Sequence, residues 1–120
     1  MGLDQYAYRK IKGEKYKDAR AIATWRKHSR LHGWMENLYK ELGGVGEFNC
    51  VKLRLKKKHL SRLYQDIKNF NLPETKGFFF GPDYTPGEYV EHLMLEDLQF
   101  IEDALEAIEE GDKVYYDSWW

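Results

Sequence analysis

The sequence predicts an α+β fold, with a small mixed or antiparallel sheet and about three helices. Stretches with apolar residues at every second position, typical of half-buried strands, alternate with stretches whose apolar residues recur at three- and four-residue steps, typical of amphipathic helices. The predicted strands are short, which favours a small layered α+β arrangement over a large parallel sheet. The chain has 120 residues, the size of one domain, and we expect residues 1–120 to form a single domain.

The first strand is predicted over residues 3–11, where aromatic residues fall at even positions. The charged residues 12–17 then predict a turn. Asp18 is suited to cap a helix that begins near Ala19 and continues to Leu42, because apolar residues recur at helical steps and no proline intervenes. The glycine pair that follows predicts a left-handed cap at the end of this helix.

The middle of the chain predicts a strand, a helix and a loop. Residues 48–55 alternate apolar and basic side chains, so we expect a strand with one buried face, in which Cys50 is an inert core thiol. Residues 58–70 carry an apolar stripe at helical spacing, and the proline that follows shortly after predicts the end of this helix. The glycine-flanked phenylalanines of residues 77–81 predict a short strand or a buried loop.

The last part of the chain predicts a helix and a strand. Thr85 is suited to be the N-cap, Pro86 the first helical residue, and Glu88 the partner that completes a capping box. Apolar residues on one side and acidic residues on the other extend this third helix to about Glu110. Residues 113–120 read as a final strand, which can pair with the first strand.

Charge is distributed unevenly along the chain, although the net charge is only −1. Residues 1–81 carry 18 Lys and Arg against 8 Asp and Glu, and residues 82–120 carry 1 against 12. Such an asymmetry indicates either a basic surface that meets an anion or a basic part of the chain that folds against an acidic helix.

The composition predicts a cytoplasmic protein. The first residues contain no apolar run, so we expect no signal peptide. No stretch approaches the roughly 20 apolar residues of a membrane helix, so we expect no membrane partner. The single cysteine cannot form an internal disulfide, which fits a reducing compartment.

One stretch, residues 25–35, concentrates two tryptophans, two histidines and three basic side chains. The basic and histidine side chains can donate several hydrogen bonds to an anion, and the tryptophans offer flat surfaces for stacking. Further aromatic residues can form the walls of such a pocket, although the same side chains also suit a plain apolar core. The candidate ligand-binding residues are Trp25, Arg26, Lys27, His28, His32, Trp34, Phe79, Tyr116 and Trp119.

Other kinds of chemistry have weaker support in the sequence. His28 and His32 are four residues apart, and a helix would place them on one face, where they could hold zinc or iron with a third ligand. No second metal-spaced motif appears, and we predict no metal, cofactor or catalytic residue. The basic residues between Lys52 and Arg62 could follow a nucleic-acid backbone, but they match no nucleic-acid-binding motif, so we do not expect that partner.

Four short motifs spread over nearly the whole chain suggest a relationship. They are Met1-Gly2-Leu3-Asp4 with Tyr6, the pattern W-R-K-x4-H-x-W from Trp25, the Gly77-Phe78-Phe79-Phe80-Gly81 segment after Leu72-Pro73, and Tyr115-Tyr116-Asp117-Ser118-Trp119. With these motifs the chain resembles a family of small, poorly characterised bacteriophage proteins. Some relatives are labelled phosphoglycerate kinase, but this chain is far too short for that two-domain enzyme and lacks a Gly-rich phosphate loop after a strand. The resemblance implies a phage origin and action in the cytoplasm of the infected bacterium.

Together these observations favour a binding protein over an enzyme. We expect it to engage an anionic small ligand, for example a nucleotide, or a host protein. One alternative is a small enzyme, either dependent on His28 and His32 or metal-assisted. Another is a structural accessory protein that forms a homo-oligomer through its terminal strands, whose open edges would otherwise be exposed.

Overall fold

A computed structural model describes residues 2–77 and 83–120 of the chain. Its elements are, in order, strand β1 (Asp4–Lys10), a one-turn 3-10 helix (Tyr16–Asp18), β2 (Arg20–Arg26), α1 (Ser29–Glu41), β3 (Leu53–Leu55), α2 (Lys57–Lys68), α3 (Pro86–His92), α4 (Met94–Glu109) and β4 (Lys113–Trp119). The predicted α+β class is confirmed.

The four strands form one antiparallel sheet with the order β2-β1-β4-β3. The first and last strands of the chain therefore lie side by side in its centre, as predicted. Asp4 lies opposite Trp119 at one end of this pair, and Lys10 lies opposite Lys113 at the other. Both ends of the chain are thus held by a full ladder of backbone hydrogen bonds.

The helices cover one face of the sheet, and the core lies between them. Along β4, Val114, Tyr116 and Ser118 are buried, whereas the residues between them are half-buried or exposed. This alternation follows from the two-residue period of a strand, which points successive side chains to opposite faces. We call the face turned away from the helices the outer face. It is partly covered by Tyr16, whose ring packs edge-on against Tyr8 and Tyr115.

The predicted helix from Ala19 to Leu42 is wrong in its first third, because residues 20–26 form β2 and the helix begins only at Ser29. The stretch also reads as a strand, and pairing with β1 decides between the two readings. Lys27 separates the two elements, since its φ of 58° is incompatible with a continuous right-handed helix. The predicted end is confirmed: Leu42 is the C-cap, and Gly43 follows with a φ of 91°.

Two further boundaries differ from the prediction. The strand expected over residues 48–55 is reduced to β3, because Cys50 adopts a φ of 59° and only its backbone N–H reaches β4, at the carbonyl of Ser118. Cys50 is consequently exposed and is not the core thiol that we expected. The phenylalanines Phe78 to Phe80 lie outside the described residues.

The predicted third helix is divided at Leu93 into α3 and α4. Its start is as predicted: the Thr85 hydroxyl accepts from the Glu88 N–H, and the Glu88 side chain accepts from the Thr85 N–H. Leu93 departs from helical geometry with φ −122°, although neither proline nor glycine is present there. A side-chain contact between the two halves, described below, accounts for this bend.

Gly33 allows a loop to approach α1 closely. A Cβ atom at this position would lie 1.7 Å from Oγ1 and 2.9 Å from Cβ of Thr75. We expect Gly33→Ala to lower the free energy of unfolding by about 1–3 kcal/mol through this overlap, although alanine is the better helix former. Urea unfolding measures the difference. Gly87→Ala is the matched control, because a Cβ there would meet Thr85 only at 3.9 Å; a similar cost for both variants would contradict the explanation.

Candidate functional site

The carboxylate of Asp97, on α4, lies at the centre of a fully buried hydrogen-bond network. Its Oδ1 accepts from Nε1 of Trp25 at 2.9 Å, and its Oδ2 accepts from Nε2 of His28 at 2.7 Å and from the hydroxyl of Tyr89 at 2.6 Å. The three donors come from β2, from the start of α1 and from α3. We call Asp97 and these three donors the interior network. It compensates a buried carboxylate with three hydrogen bonds, as burial of such a group requires.

The contact between Tyr89 and Asp97 explains the bend at Leu93. The two residues are eight positions apart, a separation of about 12 Å along a straight helix. The tyrosine hydroxyl reaches the carboxylate only because the chain bends between them. Burial and the neighbouring carboxylate raise the pKa of Tyr89, so its phenol stays protonated and remains a donor at neutral pH.

His28 connects this network to the protein surface. Its Nε2 bonds to Asp97, and its Nδ1 shares a hydrogen bond of 3.1 Å with the hydroxyl of half-buried Tyr84. Beyond Tyr84 lies Arg30, whose guanidinium packs over the Tyr84 ring and donates two hydrogen bonds of 2.7 Å to Asp83. The guanidinium charge of Arg30 is therefore already neutralised, and it is a poor candidate for binding an external anion.

A second buried chain of hydrogen bonds joins the sheet to α1. Gln5 holds the backbone of His28 at both its N–H and its carbonyl, and it also donates to the hydroxyl of Tyr116 at 3.1 Å. Tyr116 in turn donates to Nδ1 of His32 at 2.8 Å. Burial lowers the pKa of His32 to about 4, so its ring is neutral and can accept this bond.

These buried groups hold the elements together, and the two histidines of the metal-assisted alternative bond to different partners. His28 bonds to Asp97 and His32 bonds to Tyr116, so the two histidines do not converge on one point. Among the residues that the structure describes, no group of three or more His, Cys, Asp and Glu could hold a metal ion. The arrangement is typical of a structural network whose donors and acceptors already pair with one another.

The outer face of the sheet presents different chemistry. The strand register places Arg26, Asp4 and Trp119 opposite one another in one row across β2, β1 and β4. The Arg26 side chain is 70% exposed, and Trp119 is 62% exposed. The closest approach between Arg26 and Asp4 is 3.9 Å, too long for a hydrogen bond, so the guanidinium donors remain accessible. We call these three residues the outer row.

Beside the outer row lie further aromatic and basic groups. Tyr6 occupies the next outward position of β1, and its ring stacks on that of Tyr8 at 6.0 Å. Lys27 is exposed next to Arg26 and is fixed by its N–H, which donates to the carbonyl of Leu3 at 2.7 Å. A cavity of about 100 Å³ opens between the two C-terminal tryptophans, Gly2 and Asp4.

The structure separates the predicted site residues into three places. Trp25, His28, His32 and Tyr116 are buried and lie in the two hydrogen-bonded assemblies described above. Trp34 is also buried, but it lies between α1 and α2 and donates to Asp66 at 2.7 Å. Arg26, Lys27 and Trp119 are exposed on the outer face or at its margin, and Phe79 lies outside the described residues. The eight residues that the structure describes therefore do not form a single pocket.

Three residues of these assemblies, Asp97, Gln5 and Asp4, are not among the site residues predicted from the sequence. Asp97 interrupts the apolar stripe of α4, where it stands four residues after Leu93 and three before Phe100. A single acidic residue at an inward position is a detectable sign of a compensated buried charge. Gln5 similarly shares the inward side of β1 with buried Leu3 and Ala7. Asp4 carried no comparable signal, since its importance comes from the strands beside it.

The fold and site define a small α+β protein with a structural polar interior and an aromatic, cationic outer face. No protein-family model matches the chain, and neither a curated protein nor a solved structure shows significant similarity to it. Within the described residues, none of the helices is long and apolar enough to span a membrane.

Replacing Asp97 tests the importance of the interior network. Asp97→Asn puts an amide N–H against groups that are themselves donors, and at least one buried hydrogen bond is lost. We expect the free energy of unfolding to fall by about 2–3 kcal/mol, as measured by urea unfolding. Asp103→Asn, on the same helix, is the control and should change stability by less than about 0.5 kcal/mol. Equal losses of unfolding free energy in both variants would show that the interior network does not contribute specifically to stability.

The buried histidine predicts a defined pH dependence. His32 has a pKa of about 4 in the folded protein and near 6.5 when unfolded, so below pH 6.5 only the unfolded chain takes up this proton. Folding stability should therefore fall as the pH drops from 6.5 towards 4, by roughly 3 kcal/mol in total. Urea unfolding of wild type and His32→Gln across this range isolates the effect. The stability difference should shrink steadily with falling pH; a constant difference would refute the assignment.

Proposed function

We propose that the protein is a non-catalytic binding protein for an anionic small ligand of the nucleotide class, held at the outer row. The observation that carries this proposal is the register that aligns Arg26, Asp4 and Trp119 across three strands. Adjacent strands are about 4.8 Å apart, so the row spans roughly 10 Å, which suits the length of a mononucleotide.

Each part of a nucleotide has a chemical counterpart in this row. A base can stack on the exposed ring of Trp119, and such stacking contributes about 1–3 kcal/mol per base. Arg26 and Lys27 offer cationic donors for a phosphate, and Arg26 can bind it with two parallel hydrogen bonds. The carboxylate of Asp4, half-exposed between them, can accept from sugar hydroxyls.

The alternatives receive less support from the geometry. A histidine-dependent enzyme would need His28 or His32 to reach a substrate, yet both are at most 1% exposed. The motif resemblance supports action in the cytoplasm of an infected bacterium, and we include that setting in the proposal. An anion-binding protein of this size could act there by sequestering a nucleotide, a role that needs a site and no catalysis.

Isothermal titration with AMP, ADP, ATP and a cyclic dinucleotide tests the proposed site. We expect saturable binding of at least one nucleotide and a dissociation constant about tenfold higher in Arg26→Ala, because a charge-assisted hydrogen bond is lost. Trp119→Ala should weaken binding by a similar or larger factor.

Arg20→Ala is the matched control, since Arg20 is an exposed arginine at the other end of the same strand. It should bind like the wild type. Absence of binding to every nucleotide in the panel, or equal losses in Arg20→Ala and Arg26→Ala, would remove the outer row as the site.

A further inference from the structure

Strand β2 leaves one edge of the sheet open. In the described part of the chain its only neighbour is β1. The Lys27 N–H donates to the Leu3 carbonyl, and this bond shows which residues of β2 bond to β1. In the antiparallel pattern they are every second residue, so the backbone N–H and C=O groups of Trp25 and Ala23 point towards β1. Thr24 and Arg26, which alternate with them, direct theirs away from the sheet. These outward groups are a template for one more strand.

A groove of about 360 Å³ runs beside this edge, between β2 and α4. Its base includes Ile22 and the buried rings of Trp25 and Phe100, which pack edge to face with centroids 5.0 Å apart. Leu95 stands on the helix side and is 79% exposed, although it is a large apolar residue. An added strand would place alternate side chains over this apolar surface.

The helix side of the groove is acidic. Glu96 and Asp103 line it, and none of the described residues that line the groove is basic. A groove that combines an open strand edge, an apolar base and acidic walls has the features by which strand-addition domains select extended peptides. The charge indicates a complementary segment that carries Lys or Arg.

We propose that β2 and α4 form a docking site for an extended segment of another protein, in which apolar residues and Lys or Arg share the every-second positions that face α4. The segment adds as a fifth strand along β2, with its backbone bonded to Thr24 and Arg26. Its apolar side chains cover Trp25 and Leu95, and its basic side chains meet Glu96 and Asp103. This site uses the backbone of Arg26, whereas the outer row uses its side chain, and the proposal does not depend on nucleotide binding.

Electrostatics disfavours a second copy of the chain as the occupant. Antiparallel pairing of β2 with β2 of another copy would bring the two α4 helices to the same face beside the shared edge. Their acidic sides, including Glu96 and Asp103, would then face each other across the dimer axis. Like charges placed opposite one another oppose association, whereas a basic segment from a different protein would neutralise these carboxylates.

Selection from a randomised library of seven-residue linear peptides tests the proposal. The wild-type protein should enrich peptides in which Lys or Arg stands two or four residues from the apolar residues, so that both kinds of side chain lie on one face of the added strand. One such enriched peptide, labelled with fluorescein, should bind at least about tenfold more weakly to the double variant Glu96→Lys, Asp103→Lys. The matched control is Glu102→Lys, Glu109→Lys, which makes the same charge change at exposed positions of α4 outside the groove and should bind normally.

Backbone pairing has its own signature, which a merely electrostatic contact would not give. Saturating peptide should slow hydrogen exchange of the Thr24 and Arg26 amides at least about tenfold. Thr24→Pro should abolish peptide binding, because it removes an N–H that points away from the sheet. Proline is tolerated at such an edge position, so the variant should still fold. Enrichment of peptides without basic residues, equal losses in both double variants, or unchanged amide exchange would each overturn the proposal. Self-association of the free protein through β2, measured by sedimentation, would overturn the choice of occupant.

Discussion

The buried carboxylate of Asp97 is the constraint on which the arrangement of the chain depends. A charge without solvent must receive hydrogen bonds, and this one receives three from different elements. Trp25 orients β2 against α4, His28 fixes the point where the chain leaves the sheet and α1 begins, and Tyr89 requires the bend that separates α3 from α4. The three hydrogen bonds to Asp97 therefore connect the position of β2, the start of α1 and the bend between α3 and α4.

The buried polar side chains bond to one another, so groups that can contact a ligand are found on the surface. The buried histidines and tyrosines are occupied in holding elements together, although their residue types suggest catalysis. Trp25 and Arg26 are neighbours in the sequence, yet strand alternation turns one inward to Asp97 and the other outward beside Asp4. The stretch that appears in the sequence as one dense site is thus divided by the sheet into a structural half and an exposed half.

Features set by local interactions were predictable from the sequence, and features set by distant partners were not. The capping box at Thr85, the glycine cap after α1 and the alternation in β1 and β4 each depend on residues a few positions apart. The strand β2 was mistaken for helix because Ile22 and Trp25 stand at a helical step of three residues, whereas pairing with β1 makes the stretch a strand. The outer row has no local signature at all, since its three members meet through register alone. Asp97 is the exception that the sequence could have revealed, as a lone acid in an apolar stripe.

The uneven distribution of charge along the chain has two parts, which correspond to the two explanations that the sequence left open: pairing within the fold and an exposed basic surface. Some of the charges form ion pairs within the fold: Arg9 binds Glu110 and Asp112 beyond the end of α4, and Arg30 binds Asp83. The remainder is segregated, with the exposed cation of Arg26 on the outer face and the carboxylates of α4 on the helix side. Strand β2 lies between these two regions, because the Arg26 side chain turns to the outer face and the open edge adjoins the groove beside α4. The proposed nucleotide and the proposed basic segment would therefore use different groups of this strand: the side chain of Arg26 for the nucleotide, and the backbone of Thr24 and Arg26 for the segment.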